Sequence, residues 1–93
     1  MGLLDFFKKD ADTLYFSLDE LPHPRNTAVF SISYGKTLIA SSHLTMDTKG
    51  LEAACRVVEY HRATIKRCGY KKIAYKNLSE WAQCKLEAAL AAR

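Results

Sequence analysis

Between Asp47 and Gly69 the apolar residues recur with the period of a helix. At about 100° per residue, Leu51, Ala54, Val57, Val58, His61, Ile65 and Cys68 share one side, and Glu52, Arg56, Glu59, Ala63, Lys66 and Arg67 the other. Asp47 or Thr48 can cap the start, and Gly69 can take the left-handed conformation that ends helices. The spacing therefore predicts one long helix, which needs an apolar surface to lie on.

Two earlier stretches alternate instead. Leu14, Phe16 and Leu18 fall opposite Thr13, Tyr15 and Ser17, and Ala28, Phe30, Ile32 and Tyr34 form a second such row. The prolines of Asp19–Asn26 read as the loop between these strands. Tyr34-Gly35 reads as a tight turn into a return strand over 36–44. A two-residue loop would set Ile39 beside Phe30. A three-residue loop, the preferred register, sets Leu38, Ala40 and Leu44 on the core face.

Tyr70–Tyr75 reads as a fourth strand with Ile73 and Tyr75 inward. Asn77-Leu-Ser-Glu80 resembles a capping box, opening a last helix that runs to about Ala92. The expected fold is α+β: a two-layer sandwich of an antiparallel three- to four-stranded sheet, with the long central helix and the C-terminal helix on one face. Residues 1–93 form one domain, and residues 1–10 a short N-terminal helix or arm.

Composition changes this picture little. Apolar residues make up 48% and charged residues 26%, an ordinary globular balance. The net charge of +4 points mildly toward nucleic acid, acidic proteins or anionic lipid. The odd count of three cysteines, without CxxC or zinc spacing, reads as reduced thiols in a cytoplasmic protein. No secretory signal, myristoylation motif or membrane span is read in the chain, and no metal or cofactor site.

Three functional expectations follow. The first is a small non-enzymatic protein-interaction or inhibitor module acting as a homodimer. The last helix is apolar around more than half its circumference, and Trp81, Leu86 and Leu90, with Phe6 and Phe7 of the N-terminal arm, are the expected interface. Leu3, Leu4, Phe6 and Phe7 could cross to a partner subunit or fold back on their own chain.

The second is a nucleic-acid-binding module. Arg56, Arg67, Lys71, Lys72 and Lys76 would neutralise phosphates and Tyr70 would stack on a base. Pairing of Glu52 with Arg56 and of Glu59 with Arg62 would instead make this a solvated, self-paired face. Lys71-Lys72-Ile-Ala-Tyr-Lys76 resembles in part the Lys-Lys-x-Ala-Lys opening of the last helix in double-stranded RNA-binding domains. Here it follows the long helix, and Thr48-Lys49-Gly50 stands at the helix start, so no family is assigned.

The third is a small enzyme using His61 or a cysteine. Cys55 and His61 lie about 240° apart around a helix and form no dyad, while Cys84 or His43 could approach only through the fold. No paired-carboxylate pattern, Gly-rich phosphate loop or GxSxG is present.

Overall fold

The alternating rows become strands, and the helical stripe packs on them. A computed structural model describes residues 12–92. The N-terminal helix or arm expected over 1–10, with Phe6 and Phe7, lies outside the described residues. The element order is β1 (Thr13–Glu20), β2 (Thr27–Tyr34), β3 (Thr37–Thr45), α1 (Thr48–Tyr60), α2 (Arg62–Arg67), β4 (Lys72–Lys76) and α3 (Glu80–Ala91).

The sheet has strand order β3-β2-β1-β4. β1 to β3 form the expected antiparallel meander. β4, however, pairs parallel to β1, with Leu14 beside Ile73 and Phe16 beside Tyr75. The sheet is therefore mixed, a correction to the all-antiparallel expectation. β3 runs the same way as β1, and a helical connection returns the chain to the sheet in the direction it left. β4, arriving beside β1, must run parallel to it.

The β2–β3 hairpin takes neither register weighed from sequence: Phe30 faces Ser42, not Ile39 or Ala40, and the turn is Gly35-Lys36, not Tyr34-Gly35. Tyr34 pairs with Thr37 across a two-residue loop, and Gly35 takes φ 59° there. An irregularity after Ile32 then leaves Ile39 without an opposite residue, so that Ala40 pairs with Ile32 and Leu44 with Ala28. Ala40 and Leu44 reach the core side as expected. Leu38 falls before the bulge, pairs with Ser33 and is 59% exposed instead of buried.

The long helix is also bent. His61 takes φ −100°, ψ 10°, outside the helical basin, and divides α1 from α2. The ladder survives the bend, since His61 N–H donates to Val57 O (3.1 Å) and Ile65 N–H to His61 O (2.9 Å). Helices that wrap a core curve toward it, and here the curvature is concentrated at one residue. Arg62 holds the bend: its Nε and Nη2 both donate to Ala89 O, at 3.0 and 2.7 Å, near the end of α3. That contact replaces the expected Glu59–Arg62 pair.

One core results. Leu14 and Phe16 of β1, Phe30 and Ile32 of β2 and Leu44 of β3 meet Ala54 and Val58 of α1, Ile65 of α2 and Leu86, Ala89 and Leu90 of α3. Phe16 lies at the centre, its ring 6.1 Å from Phe30 and 5.7 Å from Tyr75. Burying each phenylalanine fully stabilises the fold by about 1.5–3 kcal/mol. Tyr75 also ties β4 to α3 by donating from its hydroxyl to Glu87 Oε1 at 2.9 Å. Burial and the adjoining Glu87 push its pKa well up, so the phenol stays protonated as this bond requires.

Gly50 fixes how closely α1 approaches the sheet. A Cβ there would stand 1.5 Å from Thr45 O and 2.6 Å from its carbonyl carbon. Gly50→Ala is expected to lower the unfolding free energy by about 3 kcal/mol or more, because only a backbone shift relieves the overlap. Gly69→Ala, with φ 72° but open space around it, should lose only about 1 kcal/mol. Urea unfolding of both variants compares them. Equal, small losses would mean that α1 does not rest on the end of β3.

Candidate functional site

Because β1, β3 and β4 run the same way, their carboxyl ends meet at one edge of the sandwich. α1 and α3 begin from that same edge. Between the strand ends and the starts of these helices lies a crevice. Here it is a recess of about 440 Å³, lined by buried Leu44 and Ala82, half-buried Leu18, Leu51 and Leu78, and exposed Met46 and Trp81.

The polar residues of this recess are held by their own chain. Asp47 caps α1: its Oδ1 accepts from Gly50 N–H (2.8 Å) and from Thr45 Oγ1 (2.7 Å). The Thr45 hydroxyl and then the Gly50 amide hold its carboxyl below the usual carboxylate range, so it is charged at neutral pH. Asn77 takes φ 61° and donates from Nδ2 to Leu18 O at 3.1 Å, joining the ends of β4 and β1. The cap of α3 is Ser79, whose Oγ accepts from Ala82 N–H at 3.2 Å. The cap expected at Asn77 thus moves by two residues, because Asn77 is used to close the strand ends.

Trp81 stands between this recess and a second one of about 330 Å³, lined also by Leu51, Glu52, Cys55, Arg56, Glu59 and Lys85. The indole is 57% exposed, and Lys85 Nζ lies 5.8 Å from its ring centroid. Asp47, Glu52 and Glu59 stand around the two recesses with Arg56 and Lys85, and the charge of Lys49 acts on Asp47, so that three carboxylates meet three cations. This is a charge-balanced locality on a chain of net charge +4.

The expected interface divides. Ala82, Leu86, Ala89 and Leu90 are the buried stripe of α3, so Leu86 and Leu90 belong to the core. Trp81 alone, of the three α3 residues named, faces solvent. Phe6 and Phe7 lie outside the described residues.

The basic residues also divide. Arg67 ends α2, Lys71 precedes β4 and Lys72 opens it, at the opposite edge of the sheet, with half-buried Tyr70 packed against the core. Arg56 lies at the second recess instead. Lys76 ends β4, 3.6 Å from Asp19 in an exposed pair of the kind worth little. The expected Glu52–Arg56 ion pair is not formed.

His61 is half-buried at the bend, its ring edge-on to Tyr60 at 5.0 Å. Cys55 Sγ donates to Lys85 O (3.7 Å), and burial, then the charge of Glu59, pushes its thiol pKa up. A thiol held protonated is a poor nucleophile. Cys68 Sγ donates to Thr64 O (3.3 Å), and Cys84 is exposed on α3. Among the described residues, no cluster of three or more His, Cys, Asp or Glu is placed to hold a metal ion. No described helix is long and apolar enough to cross a membrane.

Met46, Leu51, Asn77 and Leu78 were not singled out from sequence as site residues. No local sequence signal marks them, because it is the parallel β1–β4 pairing that gathers the strand ends. Comparison with known proteins finds no matching family model, no matching curated protein and no matching solved structure.

Asp47 gives the groove's edge a pH dependence of definite sign. Its folded pKa is depressed, so its stabilisation is present above the unfolded value of about 3.9. It is lost as pH falls through the folded value. Asp47→Ala should therefore be less stable than the native chain at pH 6, and the difference should shrink steadily between pH 4 and pH 2. Urea midpoints measured across that range check this, and a difference independent of pH would contradict the cap.

Proposed function

We propose that this chain is a small non-enzymatic protein-interaction module that docks a segment of a protein partner in the groove beside Trp81. The observation that carries the reading is Trp81 itself: a large indole, 57% exposed, between two recesses. Exposed tryptophans set against concave apolar surface are the residues on which protein association energy concentrates, often at 2 kcal/mol or more each by truncation, on the order of 30-fold in affinity.

The groove also specifies the chemistry of the partner. The larger recess takes one or two apolar side chains, against Leu51, Leu78 and Met46. The exposed carboxylates of Glu52 and Glu59 favour a cation beside the second recess. The segment bound is therefore an apolar or aromatic anchor with an adjacent lysine or arginine.

A second reading, nucleic-acid binding, rests on the opposite edge. Lys66, Arg67, Lys71 and Lys72 are all exposed within seven residues, and none forms an ion pair among the described residues. This reading has Lys71→Glu with Lys72→Glu weakening retardation of DNA and RNA at low salt across all sequences. Absence of any retardation of the native chain removes it.

Selection of a random peptide library on the native chain tests the main reading. Enriched peptides should pair an aromatic or aliphatic anchor with a basic residue and shift Trp81 fluorescence, which is the only tryptophan signal of the chain. Trp81→Ala should melt within a few degrees of the native chain and lose at least about tenfold in affinity for them. Equal enrichment on native and Trp81→Ala protein would contradict the docking groove.

A further inference from the structure

We infer that Tyr60 is a stacking platform for an unpaired base, flanked by a basic end that holds the phosphates, so that the ligand of this end of the molecule is a single strand of nucleic acid. The inference rests on the nucleic-acid reading of the basic edge and names the form of ligand and the residue that selects it.

The ring comes first. Tyr60 closes α1 and is 85% exposed, the most open of the large apolar side chains among the described residues. Its ring meets His61 edge-on at 5.0 Å, a contact that orients the ring without covering it. A ring left this open adds little to the fold, since burial is what makes an aromatic side chain stabilising. The sequence marked Tyr70 for stacking, but Tyr70 is half-buried and packed against the core, so it cannot receive a base.

The setting of the ring is basic on one side. At about 100° per residue Arg56, Tyr60, Ala63 and Arg67 fall within one arc of about 60°, and all four are exposed. The bend at His61 keeps this row on one side, because the hydrogen bonds from His61 N–H to Val57 O and from Ile65 N–H to His61 O carry the helical ladder through it. Arg67 therefore lies about 10 Å along the row from Tyr60. Glu59, beside Tyr60, lines the second recess with Arg56 and Lys85.

Beyond Arg67 the fold gathers cations from separate segments. Lys71 N–H donates to Asp12 O (2.9 Å) and Gly35 N–H to Thr13 O (3.0 Å), so the approach to β4 and the β2–β3 turn both close on the start of β1. Residues 12–14, 34–37 and 66–72 thus bring Lys36, Lys66, Arg67, Lys71 and Lys72, all exposed, against one carboxylate, Asp12. The carbonyls of Ile65 and Lys66 at the end of α2 accept from Cys68 N–H (3.1 Å) and Gly69 N–H (3.3 Å). Lys66 and Arg67 are therefore not taken up in capping those carbonyls.

The form of the ligand follows from the ring. Bases in a duplex are stacked on one another, and their faces are closed to a side chain. An unpaired base can lay its face on an exposed ring while ammonium and guanidinium groups track the backbone beside it. An acidic polypeptide would satisfy the cations and leave the ring unused.

Fluorescence anisotropy of labelled mixed-sequence single strands, DNA and RNA, and of the same strands as duplexes, tests this on the full chain. At low salt the native chain should bind the single strands at least about tenfold more tightly than the duplexes. Its affinity for them should fall with salt at a log–log slope of about −3, as about four or five neutralised phosphates require. Tyr60→Ala should lose about five- to hundredfold for single strands with that slope unchanged, and Tyr60→Phe should stay within about twofold of native. Both should keep the native circular dichroism spectrum. Lys71→Gln with Lys72→Gln should instead flatten the slope by about 1.4. Duplexes bound as tightly as single strands, Tyr60→Ala binding like the native chain, or polyglutamate displacing a single strand at equal charge would each overturn the platform. If Lys71→Glu with Lys72→Glu still weakens retardation in those cases, the nucleic-acid reading stands without it; if the native chain retards no nucleic acid, both fall together.

Discussion

β1 has neighbours of opposite direction on its two sides, β2 antiparallel and β4 parallel, and most of the molecule follows from that. A parallel neighbour cannot be reached by a tight turn, so the chain between β3 and β4 must cross the sheet. It does so as α1 and α2, which lay the apolar stripe of Ala54, Val58 and Ile65 on the face that carries Phe16, Phe30 and Ile32. The same pairing brings Tyr75 against Phe16 and gives α3 a place to dock. It also gathers three carboxyl strand ends at one edge, which the helices leave partly open. The groove is a consequence of strand direction before it is a consequence of any one side chain.

Two close contacts set the dimensions of that edge. Gly50 lets α1 start directly over the carbonyl of Thr45. Asn77 ties the end of β4 to Leu18 while Ser79, two residues later, takes over the capping of α3. The edge of the apolar lining is thus held by backbone and cap hydrogen bonds of the chain itself. Pre-formed sites lose less conformational entropy on binding than sites that must order themselves. Trp81 lies just outside the buried stripe of α3 and is left to solvent by the same packing that buries Leu86.

Much of the local structure was legible in the chain. Period-two alternation found β1 and β2 because each buries one face, and Asp47 and Gly69 marked the ends of the helical region through their caps. The bend at His61 was not legible, since the apolar stripe runs through it without a break in period. The β3 register was half legible: Ala40 and Leu44 were placed inward, but a bulge after a two-residue turn put Leu38 outside. The α3 surface was harder. Periodicity identifies apolar arcs and does not say which arc a sheet will cover, so Leu86 and Leu90 read as interface although they are core. The groove was out of reach for a different reason. It depends on β4 running parallel to β1, and strand direction is a tertiary property that the five residues of β4 do not encode locally.

The parallel β1–β4 pairing is the claim on which fold and groove both stand, and nuclear Overhauser contacts test it most directly. The account predicts ring-to-ring contacts between Phe16 and Tyr75, with sequential cross-strand contacts that step forward together from Leu14–Ile73 to Ser17–Lys76. Contacts that step in opposite directions, with Ile73 near Leu18 and Lys76 near Tyr15, would make the sheet antiparallel throughout. That result would contradict the crossover and disperse the strand ends that form the groove.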